Sequence, residues 1–328
     1  MKNLFFITIL LLINISLISC DTSKTQGDEV AIKNTPPTQP TKKTQALLLT
    51  QPFAFDPSDK DKMTGDYVAQ TKITIPQNLA TQSKWIMFEG PVLENDLVAY
   101  RYYADSRHRF DIYGKTVADL VMDTVSWQYH DIMNWGSDIL KVGNSLGLGS
   151  PAIFYQDTLY TLSDGEEKII EIMDNNNSTS TIRTTFKNLK IEGQTFDLVQ
   201  DWSIGAGQPW SEIHLKVING ALPEGMNFAT GIVKHLPEII ESETSDFFYA
   251  MNWGKQSFHE EQLGMAILTE KKYQPERVDD ELSHAYIFKN AKDEVRYRFL
   301  STWERDRNRV KDADGFKKLV ELSGAINE

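Results

Sequence analysis

Cysteine is almost missing from this chain, with Cys20 alone among 328 residues. An intrachain disulfide is therefore impossible, and a thiolate-built metal site or catalytic thiol is excluded from the folded part. Basic charge is also short. Lys and Arg number 34 against 46 Asp and Glu, a net charge of −12. That balance argues against a nucleic-acid partner, whose binding rests on basic surface. It also requires that any anionic ligand be held by a local basic pocket against the overall field. There is no H-E-x-x-H pattern, no His-rich tract and no acidic calcium loop, so neither a metal nor an organic cofactor is expected. There is no G-x-S-x-G elbow. Gly143, Gly147 and Gly149 do not form G-x-G-x-x-G after a strand, so no phosphate loop is read there. No Pro/Gly/Ser linker and no repeat interrupts residues 50–328.

The long apolar run, residues 4–12, follows Lys2 and is too short for a membrane span. It ends in Leu17-Ile18-Ser19-Cys20, which resembles a bacterial lipobox. The resemblance implies a signal peptide over residues 1–19, cleaved before a Cys20 that then carries a lipid. Residues 20–47 are rich in Thr, Gln, Lys and Pro with little to bury, and are expected to be a disordered tether. Together these imply a lipoprotein held at the outer membrane, on its periplasmic face or at the cell surface.

Residues 48–328 are expected to form one all-β domain. Period-2 alternation recurs at residues 67–75, 97–103, 213–217 and 295–299, and residues 168–186 read as strand, turn, strand around Asp174 to Asn177. Helical signals are sparse: a C-terminal face of Phe316, Leu319, Val320 and Ala325 behind Asp312 or Asp314, and a short helix near residues 275–282. Strands without interleaved helices imply a large antiparallel β-sandwich. At this length, analogy points to a mutarotase-like supersandwich.

Residues 89–149 concentrate Tyr, Trp, His, Asp, Arg and Lys among glycines, the mixture a saccharide or organic-anion site needs. On the strand at residues 97–103, Arg101 shares a face with Leu97, Ala99 and Tyr103, opposite Tyr100 and Tyr102. It is either a ligand contact or a buried ion pair. Asp105, Arg107, His108, Arg109 and Asp111 read mostly as solvated loop. Gly114 between Tyr113 and Lys115 would turn the chain and aim Lys115 into a cleft. His130, among Tyr129, Trp135, Asp138 and Lys141, is the leading proton-transfer candidate, against a packed or surface histidine. Trp135 is a sugar platform or core. Lys234-His235 and Trp253-Gly254-Lys255 offer secondary Lys–His and aromatic–Lys clusters.

The stretches EGPVLENDLVAYRYYAD, DIYGK, YHD, WGSDILKVGNSLGLG, TGIVKH, WGKQS and LGMA resemble the DUF4861 family of Bacteroidetes polysaccharide-utilisation loci. Some members look like ulvan oligosaccharide dehydratases. The resemblance implies a carbon–oxygen lyase that removes water from a non-reducing-end glucuronic or iduronic acid, leaving a 4,5-unsaturated uronic acid. The partner would be an acidic, sulfated oligosaccharide. Such a reaction needs a base, an acid and cations for the carboxylate. His130 is the candidate base, and Tyr103, Tyr113 or His235 the acid. Arg101, Lys115 and Lys141 are the neutralisers, with Lys234 or Lys255 for sulfate. A non-catalytic glycan-binding lipoprotein and a mutarotase-type isomerase are the alternatives.

Overall fold

The computed structural model describes residues 42–52, 65–76, 84–218, 220–307 and 310–325. The expected signal peptide, Cys20 and most of the tether lie outside the described residues. The end of the expected tether does not. Thr44–Leu47 is a strand, antiparallel to Val92–Asn95, so the folded domain begins ahead of residue 48.

The fold is an all-β antiparallel sandwich. Its largest layer is a nine-stranded sheet running, in spatial order, Ile240–Glu243, Phe247–Lys255, Gln262–Glu270, Glu294–Trp303, Trp210–Val217, Gln194–Gly205, Thr179–Ile191, Glu167–Asn175 and Lys72–Pro76. Alternation explains its two faces. Along Gln194–Gly205, Leu198, Gln200, Trp202 and Ile204 are buried while Asp197, Val199, Asp201 and Ser203 alternate with them half-buried, and Thr179–Ile191 behaves alike through Ile182, Thr184 and Phe186.

Two five-stranded sheets cover that inner face. One is ordered Thr158–Thr161, Ala152–Tyr155, Asn227–Val233, Ser283–Phe288, Pro275–Val278. The other, the site sheet, is ordered Thr44–Leu47, Val92–Asn95, Val98–Tyr102, Phe110–Lys115, Gly136–Asp138. They are bridged through residues 147–149, where Gly147 meets Phe110 and Leu148 meets Ile232. The site sheet is locked to the nine-stranded sheet by its inward tyrosines. The Tyr102 and Thr184 hydroxyls are 2.6 Å apart, and those of Tyr100 and Ser301 3.1 Å apart. Phe110 packs edge-on against Trp202 at 5.0 Å and Phe299 at 5.5 Å. Each such ring removed from water contributes about 1.5–3 kcal/mol.

The helix Ala313–Ala325 covers part of the opposite face of the nine-stranded sheet, with Phe316 and Val320 buried against Trp210, Tyr249, Met251 and Leu268. Asp312 caps it, accepting from Gly315 N at 2.7 Å. The short helix expected near residues 275–282 is instead an edge strand, Pro275–Val278, following a single 3-10 turn at Lys271–Tyr273. Pro275 suits a strand's first residue as well as a helix's, and pairing with Ser283–Phe288 decides the matter. No helix among the described residues is long and apolar enough to cross a membrane.

The site sheet is buried on both faces. Every residue of Val98–Tyr102 and of Phe110–Lys115 is buried. Its second face holds a small core of Met87, Phe88, Val92, Ala99, Tyr113, Met122 and Tyr129. Residues 84–90 and the 116–135 loop cover that core, and the candidate site opens between them.

Candidate functional site

The cleft has a volume of about 580 Å³ and is lined by Lys84, Glu89, Arg101, Tyr103, Arg107, Trp127, Tyr129 and His130. Its floor is Arg101, which strand alternation places on the same face as Tyr103, away from Tyr100 and Tyr102. Of its two readings, the buried ion pair is the one realised. Only 1% of the residue is exposed. Its Nη2 donates to Asp111 Oδ2 at 2.7 Å, to Asp138 Oδ2 at 3.0 Å and to the Tyr103 hydroxyl at 2.9 Å. Nη1 donates to the Phe88 carbonyl at 2.9 Å and the Tyr129 hydroxyl at 3.1 Å. Burial opposes this charge, but Tyr103, Tyr113, Asp111 and Tyr129 outweigh it and hold the guanidinium protonated. A cation so surrounded is a scaffold for the cleft rather than a free carboxylate ligand.

Asp138 joins that scaffold to His130. Its Oδ2 is 3.3 Å from His130 Nδ1. Burial, and then the neighbouring Asp111 charge, push the Asp138 carboxyl well above the usual range. His130 is half exposed, and its pKa is lowered, first by desolvation and then by Arg101. It is therefore neutral at neutral pH. Its Nδ1 is engaged by Asp138, and Nε2 makes no hydrogen bond with a described residue. That combination is what a general base needs.

Two tyrosines border the same floor in different states. Tyr103 donates to Asp111 Oδ2 at 2.7 Å while accepting from Arg101, so its proton is committed. Tyr129 accepts from Arg101 Nη1, and its own O–H has no acceptor among the described residues. Burial raises the Tyr129 pKa and Arg101 pulls it back, leaving a neutral, polarised donor. Tyr129 is the better acid of the two.

Besides Arg101, the cleft's cations are Lys84 and Arg107. Arg107 stacks on the Tyr103 ring at 3.6 Å, chelates Asp105 at 2.6 Å and reaches Glu89 at 3.3 Å. Lys84 makes no ion pair among the described residues. Its carbonyl accepts from the Tyr67 hydroxyl at 2.6 Å, and that hydroxyl accepts from Trp127 Nε1 at 3.1 Å, which ties the two cleft walls together. Glu89 enters from a strained backbone: Phe88 and Glu89 have φ of 61° and 59°. Left-handed geometry at non-glycine residues costs roughly 1–3 kcal/mol each and clusters at functional sites.

Several expected site residues stand elsewhere. Gly114 does not turn the chain. It pairs with Val98 and Ser137 inside a strand, where a Cβ would lie 2.5 Å from the Trp303 ring. Lys115 is consequently buried, donating at 2.6 Å to the Asn95 carbonyl and paired with Glu94, which in turn anchors the loop at Val121 N and Met122 N. Tyr113 is fully buried and its hydroxyl has no partner among the described residues. Trp135 is half-buried against Tyr113, as core. His235 donates from Nε2 to the Lys141 carbonyl at 2.8 Å, and Lys234 Nζ donates to the Asp280 carbonyl at 3.3 Å. Lys255 is exposed at a strand end. None of Lys115, Tyr113, Trp135, Lys141, Lys234, His235 and Lys255 lines the cleft.

The 105–111 stretch is not a solvated loop either. Asp105, His108 and Asp111 are 2%, 0% and 1% exposed. Among the described residues, no group of three or more His, Cys, Asp and Glu side chains is placed to hold a metal. Sequence reasoning missed Lys84 outright, and left Glu89 and Trp127, which lie inside the 89–149 stretch, without an individual role. Trp127 carried a usable signal, an aromatic three residues before His130.

A family model for a domain of unknown function, DUF4861, matches residues 16–325. The chain belongs to the DUF4861 family. No sequence among the curated proteins matches it. Among solved structures, this DUF4861 chain is similar to a Klebsiella pneumoniae subsp. pneumoniae MGH 78578 protein provisionally designated an aldose 1-epimerase. The TM-score is 0.38 at 9% identity, over 87% of this chain and 97% of that one.

Proposed function

We propose that this DUF4861 protein is a carbon–oxygen lyase that dehydrates a terminal uronic acid of acidic, ulvan-type oligosaccharides by acid–base chemistry of its own side chains. One observation carries the reading. A neutral histidine, oriented by a buried carboxyl, borders a cleft also lined by three cations and three further aromatic rings. Lys84 and Arg107 face the uronate carboxylate, and Trp127 covers a C–H face of the ring. His130 Nε2 takes the C5 proton while charge builds on the carboxylate, where the cations stabilise it. The C4–O bond then breaks, Tyr129 gives its proton to the departing hydroxyl, and one water leaves with a C4–C5 double bond in place. His130, exposed at the rim, then gives its proton to solvent and Tyr129 takes one back, which restores both groups. We further propose that a lipid on Cys20 holds the domain at the outer membrane, on its periplasmic face or at the cell surface.

The test is incubation of the domain with uronate-terminated oligosaccharides, followed by mass and by ultraviolet absorbance of a conjugated enoate. Loss of one water with rising absorbance is expected. Binding without mass change would replace the lyase by a glycan carrier, and an altered anomer or epimer ratio at constant mass by an isomerase.

A further inference from the structure

Beside His130 stands a ring that the chemistry above does not use. Phe258 belongs to residues 256–261, the turn between the strands Phe247–Lys255 and Gln262–Glu270 of the nine-stranded sheet. The turn crosses to the site sheet and is fastened there. Phe258 N donates to the Ile139 carbonyl at 2.8 Å, and His259 Nε2 is 2.9 Å from the Ser137 hydroxyl. Its base is fixed as well. Gln256 and Ser257 are buried, and Glu261 accepts from Trp303 Nε1 at 2.6 Å and pairs with Arg305.

On that fixed backbone the Phe258 side chain is 48% exposed, its centroid 5.9 Å from the His130 imidazole. Ile132 and Met133, two and three residues after His130, are 41% and 42% exposed. They sit in a turn closed by reciprocal Met133–Gly136 backbone bonds of 2.8 and 3.1 Å. A large ring held in water forgoes the free energy its burial would release. Three apolar side chains are far short of the roughly 20–30 residues a side of a stable protein interface. Beside a saccharide cleft, they fit the weakly polar face of a sugar ring.

We propose that Phe258 is the stacking platform for the sugar adjacent to the reacting uronate, so that the site selects an oligosaccharide end over a free uronate. The inference rests on the proposed function for its substrate class. Phe258 sets specificity and touches no reacting atom.

The test measures KM and kcat, and separately the Kd by calorimetry, for a single uronate and for uronate-terminated di- and tetrasaccharides, with wild type, Phe258→Ala and Phe258→Trp. Wild type is expected to prefer the longer saccharides. Phe258→Ala is expected to lose that preference through a rise of about three- to tenfold in KM and Kd for them, with little change in kcat. Phe258→Trp should restore it. Chain-length-dependent binding lost in Phe258→Ala without turnover by any form would sink the lyase and keep the platform. Turnover with the same chain-length preference in wild type and Phe258→Ala would overturn the platform and keep the lyase. So would a Phe258→Ala effect that appears only as a lost dimer in sedimentation.

Discussion

His130 Nδ1 lies 3.3 Å from Asp138 Oδ2, and the same carboxylate oxygen lies 3.0 Å from Arg101 Nη2. The imidazole at the rim is thus tied to the buried cation under the cleft through one shared oxygen. The carboxyl holds the ring's orientation, while burial and then the cation disfavour its protonation.

The pH dependence follows in sign. His130 is shifted down by burial and by Arg101, below the ordinary imidazole value of about 6.5. A base works only when unprotonated, so kcat/KM should hold at neutral pH. It should fall as pH drops through an apparent pKa below that ordinary value. A pH–rate profile with its acidic limb above about 6.5 would contradict the assignment.

Removing the cation should damage the fold more than the binding surface. In Arg101→Met, Asp111 and Asp138 lose the partner that justifies their burial. Breaking a buried ion pair from one side costs about 3–5 kcal/mol. Denaturant unfolding should show a loss of that order, and Arg101→Lys should not restore it. A lysine cannot supply the fork that reaches Asp111, Asp138, Tyr103, Tyr129 and the Phe88 carbonyl together.

Much of this arrangement is legible in the residues alone. Alternation places Arg101 on the face opposite Tyr100 and Tyr102, and the hairpin around residues 174–177 forms as Glu167–Asn175 and Thr179–Ile191. The departures have local causes or distant ones. Lys115 is misplaced by local pattern because a glycine beside it suggests a turn, whereas Gly114 is there to let Trp303 approach. Lys234, His235 and Lys255 look like site residues in sequence, but none of them lines the cleft, and sheet order is invisible to local pattern. Phe258 reaches His130 from 128 positions along the chain, through a sheet crossing that no periodicity encodes.

Gly90 provides a test of the strained turn that carries Glu89. A Cβ there would lie 1.9 Å from the Tyr102 carbonyl oxygen and 2.9 Å from Ala104 N, both backbone atoms that cannot rotate aside. Gly90→Ala should cost at least the roughly 1–3 kcal/mol of ordinary overpacking, visible as a lowered denaturation midpoint. An unchanged midpoint would mean that the turn is not seated as described.

Lys168 predicts a second pH effect, on stability rather than rate. It is buried, donates to the Ala104 and Asp105 carbonyls at 3.1 and 2.6 Å, and burial pulls its pKa down to about 7. Unfolded, it returns to about 10.4. Between those values the unfolded chain binds more protons than the native one, so this group makes stability rise with pH across that window. Chemical denaturation from pH 7 to 10 should show that rise against the wild-type background, and Lys168→Met should flatten it. The same slope in both proteins would contradict the burial of a titrating lysine there.

The central claim, that His130 removes the C5 proton of a terminal uronate, is tested most directly by comparing wild type with His130→Ala and His130→Gln on one uronate-terminated disaccharide. Product is followed by mass and fold by circular dichroism. Wild type should lose one water from the substrate, while both variants keep the native spectrum and show turnover reduced by about 10²–10⁴-fold. Wild-type rate in His130→Ala, or no loss of water by the wild-type protein, would contradict it.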